Sequence, residues 1–229
     1  MTTLYNPLVN IDPLALNYLT YGQVPLPLSP LIPNFFSNAT LNSEGTTLNT
    51  NGLVLSNSAN TGYAGFTNYT VKIPQLPPVN LNSLTLEPVN PNLPVLNASQ
   101  GFTLEFDLKL LQESSAAGRA GFSVLVVSND PSKSIEIGFK EQGNSDRIFA
   151  QNATFGEGES SSVPLNLNQT QTFWVSFLGD QYSVAANGLE ILTGSLRDYI
   201  FNPTSSSPPL PAGVNPYEAK NLVFFGDNT

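Results

Sequence analysis

The 229-residue chain is 40% hydrophobic but only 11% charged, enough apolar matter for one substantial β-rich core and too much for wholesale disorder. A net charge of −9, with only eight Lys and Arg and those scattered, excludes nucleic-acid and anionic-membrane partners, which need clustered cations. The chain has no Cys and no His, which removes disulfides, thiolate chemistry, Ser-His-Asp triads and His-bound metals.

Residues 1–40 hold six prolines with apolar residues between them, so ladder donors are missing. They are expected to form an extended, proline-rich N-terminal arm. Leu28, Leu31, Ile32, Phe35 and Phe36 are too apolar to leave in water, so the arm either packs on its own domain or docks on a partner. There is no basic n-region for a secretory signal in residues 1–20, and no apolar run long enough for a spanning helix.

A β-sandwich domain is expected from 41 to 229. Asn51-Gly52 is a hairpin signal between Thr46–Leu48 and Leu53–Leu55, and 62–73 is predicted as a strand. Residues 74–94, with six more prolines, are predicted as a long surface loop. In Gly101–Leu111, Phe102, Leu104, Phe106, Leu108 and Leu110 alternate with Thr103, Glu105, Asp107 and Lys109, the pattern of a half-buried strand. Residues 120–128 are apolar on both faces, and 134–140 alternate with Ile135, Ile137 and Phe139 inward. A strand over 146–155 follows, then a meander over 172–193 with turns at Gly179-Asp180 and Asn187-Gly188, and a helical turn is expected at Ser195–Tyr199. A proline-rich loop, 202–216, leads to a last strand at Asn221–Phe225. The reading is all-β: an antiparallel two-sheet jelly-roll sandwich.

The run Phe173-Trp174-Val175-Ser176-Phe177-Leu178-Gly179-Asp180-Gln181-Tyr182, continuing through Asn187-Gly188 to Gly194, resembles the meander of laminin-G and concanavalin A-like domains. Arg119–Ser123, Ile135–Phe139, Arg147–Gln151 and Gly194–Tyr199 look like a family of cyanobacterial extracellular domains of undefined activity. The resemblance spans roughly 40–229 and implies the lectin/glucanase sandwich architecture and an extracellular or cell-surface place. Function does not follow from this fold, which hosts lectins, glucanases, lyases and adhesion modules.

Glu105 and Asp107 have the two-residue spacing of acids in family-16-like glucanases, but Lys109 stands where a third acid would complete the pattern, and the pair is expected to belong to a solvated outer face. Glu136 is expected to be half-buried and paired with Arg119 or Arg147. Arg147, Gln151 and Tyr182 supply part of a lyase group, whose His is missing. Trp174 faces away from Phe173, Val175 and Phe177, so it either offers a ring for sugar stacking or lies under a long loop. Asp180, Asp227 and Asn228 are turn oxygens suited to calcium, without a motif that assigns it, so no cofactor is expected. Five Asn-x-Ser/Thr sequons, at Asn38, Asn68, Asn97, Asn152 and Asn168, are ascribed to chance in an Asn-rich chain. The leading expectation is a non-catalytic module that binds glycan or serves assembly and adhesion. Its rivals are a polysaccharide-acting enzyme, working through Glu136 or the Glu105/Asp107 pair, and a purely structural subunit, self-assembling or docking through the arm.

Overall fold

The computed structural model describes residues 17–20, 37–38, 47–49, 52–54, 63–72, 84–88, 93–111, 118–141, 146–161, 165–206 and 210–228. The chain forms two compact units, one of Val95–Ile200 with Tyr217–Asn221, the other of Met1–Pro94, Phe201–Pro216 and Leu222–Thr229. Strand pairings are antiparallel throughout the described residues, as the all-β sandwich reading requires. No helix among them is long and apolar enough to cross a membrane.

The second-named unit holds β1 (Asn17–Thr20), β2 (Ser37–Asn38), β3 (Thr47–Asn49), β4 (Gly52–Val54), β5 (Tyr63–Thr67), β6 (Tyr69–Lys72) and β7 (Thr85–Pro88). The last strand of the chain lies in the same unit and pairs with β5, setting Phe225 opposite Phe66 and Gly226 opposite Gly65. Gly65 tolerates no side chain, because a Cβ there would meet the Phe224 ring at 2.6 Å. The strand expected over 62–73 is broken at Asn68, whose side chain is buried and accepts the Val223 N–H at 2.8 Å. Residues 74–94 are not all loop: β7 pairs with β6, and Leu84 packs with Val214, Val71 and Leu86. The expected hairpin strands do pair, but with Asn49 opposite Gly52, so Gly52 lies in β4 rather than in the turn. The proline-dense stretch 25–36, and its expected docking, lie outside the described residues.

The first-named unit is a sandwich in its own right. One layer contains β8 (Phe102–Leu108), β13 (Gln171–Leu178), β14 (Gln181–Ala186) and β15 (Leu189–Ser195), in the order β15-β14-β13-β8. The other contains β9 (Phe122–Val127), β10 (Ser134–Lys140), β11 (Arg147–Gln151) and β12 (Glu157–Ser160), in the order β12-β11-β10-β9. β12 is a strand the sequence did not announce, because Glu-Gly-Glu-Ser has neither alternation nor β-branched residues.

The period of two sends Ile135, Ile137, Phe139, Phe173, Val175 and Phe177 into complete burial, as expected. Phe102, Leu104, Phe106 and Leu108 share that inward face but are only half-buried, since β8 closes one side of its four-stranded layer. Phe139 joins the layers: its ring meets Phe173 edge-on at 5.1 Å and Phe106 at 6.1 Å. The helical turn expected at Ser195–Tyr199 is absent. β15 runs on to Ser195, and Arg197 makes a bridge to Ser134.

Gly138 is needed for space. A Cβ there would meet the Phe149 ring at 2.7 Å and the Ala120 methyl at 2.9 Å. Gly138→Ala is expected to destabilise the protein by about 1–3 kcal/mol through overpacking, read as a lower midpoint in denaturant unfolding.

Candidate functional site

The two layers treat their outer faces differently, and this decides where a ligand can be met. The outer face of β9–β11 is closed over. Residues Ser134–Phe139 are all buried, so Glu136 is fully buried rather than half-buried, with 1% exposure. Its carboxylate accepts the Tyr217 hydroxyl at 2.6 Å, and the Arg119 guanidinium stands 4.0 Å away. Tyr199 Oη accepts the Glu136 N–H at 2.8 Å and donates to the Gln151 carbonyl at 3.0 Å. Burial, and then the Glu136 charge, hold the Tyr199 pKa well above the ordinary value.

Phe155, Tyr199 and Tyr217 stack into a lid over this layer, with centroids 4.9–5.5 Å apart. Phe155 reaches that place from a left-handed backbone, φ 68°, in a turn whose Asn152 side chain accepts the Thr154 and Gly156 N–H groups. Such a conformation costs about 1–2 kcal/mol for a non-glycine residue, offset here by ring contacts and by the Arg119 guanidinium 5.5 Å from the ring.

Of the residues singled out in the sequence, Glu136, Arg119 and Gln151 are therefore brought together, but in the interior. Arg147 is not with them: it pairs with Glu157 at 2.6 Å. Tyr182 belongs to a neighbouring group, where Arg197 donates to Glu159 at 2.7 Å and to the Gln151 carbonyl at 3.0 Å. Burial and the Glu159 charge push the Tyr182 phenol well up. Gly194 leaves room for this contact, since a Cβ would strike both the Tyr182 hydroxyl and Glu159 at 2.8 Å. Asp180 is tied to Lys133 at 2.7 Å, and the side chains of Asp227 and Asn228 lie outside the described residues. No three His, Cys, Asp or Glu side chains among the described residues converge as a metal site requires.

The outer face of β8, β13, β14 and β15 is open. Its cross-strand register sets Thr103 opposite Ser176, Glu105 opposite Trp174, and Asp107 opposite Thr172. Each pair is hydrogen-bonded, at 2.9, 3.0 and 2.6 Å. The indole N–H of half-buried Trp174 donates to Glu105, which restrains the ring in the plane of the sheet's side-chain layer. On its other side Trp174 faces Ala185, and Ala185 faces Glu190. A methyl beside an indole leaves the ring unobstructed on that flank. At the β15 edge, Glu190, Ile191, Leu192 and Thr193 border a groove of about 300 Å³ with Glu159 and Ser160 of β12. Glu159, Glu190, Arg197, Tyr199 and Tyr217 were not singled out as site residues. Only Arg197 and Tyr199 carried a signal, through the Gly194–Tyr199 run.

Two outcomes follow from these networks. Tyr217→Phe removes the donor to a buried carboxylate and is expected to cost about 1.5–3 kcal/mol in denaturant unfolding. Burial works to raise the Glu159 pKa, but the Arg197 bond and charge, a backbone bond and the Tyr182 hydroxyl outweigh it and hold it below the ordinary 4.5. A depressed folded-state pKa stabilises above the unfolded value and is lost as pH falls through the folded one. The stability lead of the parent over Glu159→Gln is therefore expected to be present at neutral pH and to vanish on acidification below 4.5; the pair is exposed, so the lead stays under about 1 kcal/mol.

No family model matches the chain, and no curated protein matches it. Among solved structures, "Crh5 transglycosylase in complex with NAG" is similar over 71% of this chain and 79% of that one, at 11% identity and a TM-score of 0.28. A likeness of that size carries no argument about what this chain does.

Proposed function

We propose that this protein is a non-catalytic, extracellular or surface-associated module that binds glycan on the outer face of the β8–β13–β14–β15 layer. The observation that carries this reading is Trp174. It is held by Glu105 through its ring nitrogen and bordered by Ala185, on a face that also presents Thr103, Asp107, Thr172, Ser176 and the exposed Leu178. Sugar rings pair an apolar face, which stacks on an aromatic ring, with an equatorial rim of hydroxyls, which takes hydrogen bonds from short polar side chains.

Binding rather than turnover suits the same geometry. Hydrolysis needs two carboxyl groups flanking the scissile bond. Glu105 and Asp107 each already take a cross-strand hydrogen bond, and Lys109 stands where a third acid would complete the glucanase spacing. Glu136, the other acid considered for chemistry, is buried beneath the aromatic lid.

Trp174 is the chain's single tryptophan, so its fluorescence reports this face and no other. Titration with binding glycans is expected to shift or quench that emission. Trp174→Ala is expected to weaken binding by about tenfold or more, as loss of a stacking contact near 1.4 kcal/mol demands, while changing the melting temperature little. A glycan array with no bound structure, or retention by Trp174→Ala equal to the parent's, would overturn the reading.

A further inference from the structure

The charge on this face points to a more specific ligand. Resting on the glycan reading above, we propose that the Trp174 face selects a cationic glycan, an amino-sugar polymer with free ammonium groups, over neutral or anionic ones. Glu105, Trp174, Ala185 and Glu190 form one row across the four strands, through the pairs Glu105 with Trp174, Trp174 with Ala185, and Ala185 with Glu190. Neighbouring strands lie about 4.8 Å apart, so the two carboxylates of the row stand about 14 Å apart at the backbone, with the indole between them. Asp107 adds a third acid one pleat along, and the exposed Lys109 lies just past the end of β8.

That distribution excludes two simpler occupants. Carboxylates on β8 and β15, at opposite sides of the four-stranded layer, cannot close on one ion, and no metal-holding group of three forms among the described residues. A uronate or sulfated polymer would bring its charges onto a face that already carries negative ones, which is unfavourable at these separations. A polymer whose ammonium groups recur along the chain meets carboxylates on both sides of the stacking ring. A groove at the β15 edge, shared with Glu159 and Ser160 of β12, also has Glu190 among its lining residues. Exposed charges of this kind contribute selectivity more than tight binding, and salt weakens them.

The test compares glucosamine hexamer, N-acetylglucosamine hexamer and an oligouronate of equal length by Trp174 fluorescence, at low salt and at a mildly acidic pH that protonates the amines. The expected result is at least about tenfold tighter binding of the glucosamine hexamer, most of it lost in high salt. The double variant Glu105→Gln/Glu190→Gln keeps an acceptor for the indole N–H and is expected to bring the two hexamers within about twofold of each other. Trp174→Ala, followed by calorimetry because it has no indole to report, is expected to weaken both. Equal binding of both hexamers, still dependent on Trp174, would overturn the charge inference and leave the glycan face standing. Preference for the oligouronate would do the same. No binding of any oligosaccharide, or binding of oligolysine as tight as the glucosamine hexamer and indifferent to Trp174→Ala, would overturn both readings.

Discussion

The ring of Phe139 is the contact on which the β8–β15 sandwich depends. It projects from β10 between Phe106 and Phe173 of the facing layer and against Phe122 of its own. Burying a ring of this size contributes roughly 1.5–3 kcal/mol, and edge-to-face contacts add to it. Because side chains alternate along a strand, placing Phe139, Ile137 and Ile135 inward forces Gly138, Glu136 and Ser134 outward. Everything on the far side of β10 follows from that choice. A carboxylate appears where a second apolar face might have stood, and it requires Tyr217, Arg119 and the aromatic lid to be tolerable there.

The two layers thus end in opposite states. One is covered on both faces, and its buried Glu136 is satisfied by the side chains that cover it. The Glu136, Tyr199 and Gln151 chain is a means of burying a strand whose outward residues are polar, since an unpartnered buried carboxylate would cost far more than the network does. The other layer is covered on one face only, and its outward residues, Trp174 among them, keep contact with solvent.

Positions without side chains matter as much as those with them. Gly65, Gly138 and Gly194 each lie where a neighbouring ring or carboxylate occupies the space of a Cβ. Asn plays the complementary part in turns. Asn152 folds the bend that presents Phe155, and Asn68 ends one strand by taking up a backbone donor from another. The Asn-rich, charge-poor composition is thus used internally, as side-chain-to-backbone bonds that let short strands stop and turn.

The sequence by itself determined the strands with strict alternation. β8, β10 and β13 show a period of two that permits one inward face each, and the tight turns at Gly179 and Asn187-Gly188 leave β13, β14 and β15 little choice but to pair in order. It also placed Trp174 and Glu105 outward. What only the tertiary structure decided was company. That Glu136 meets Tyr217 and that Glu105 stands beside Trp174 depend on contacts between residues far apart in the chain. No turn joins those segments, so no local pattern encodes their pairing. β12 and β7 were missed for the same reason: Glu-Gly-Glu-Ser and Thr-Leu-Glu-Pro become strands because a neighbour offers them a ladder, not because their own residues favour one.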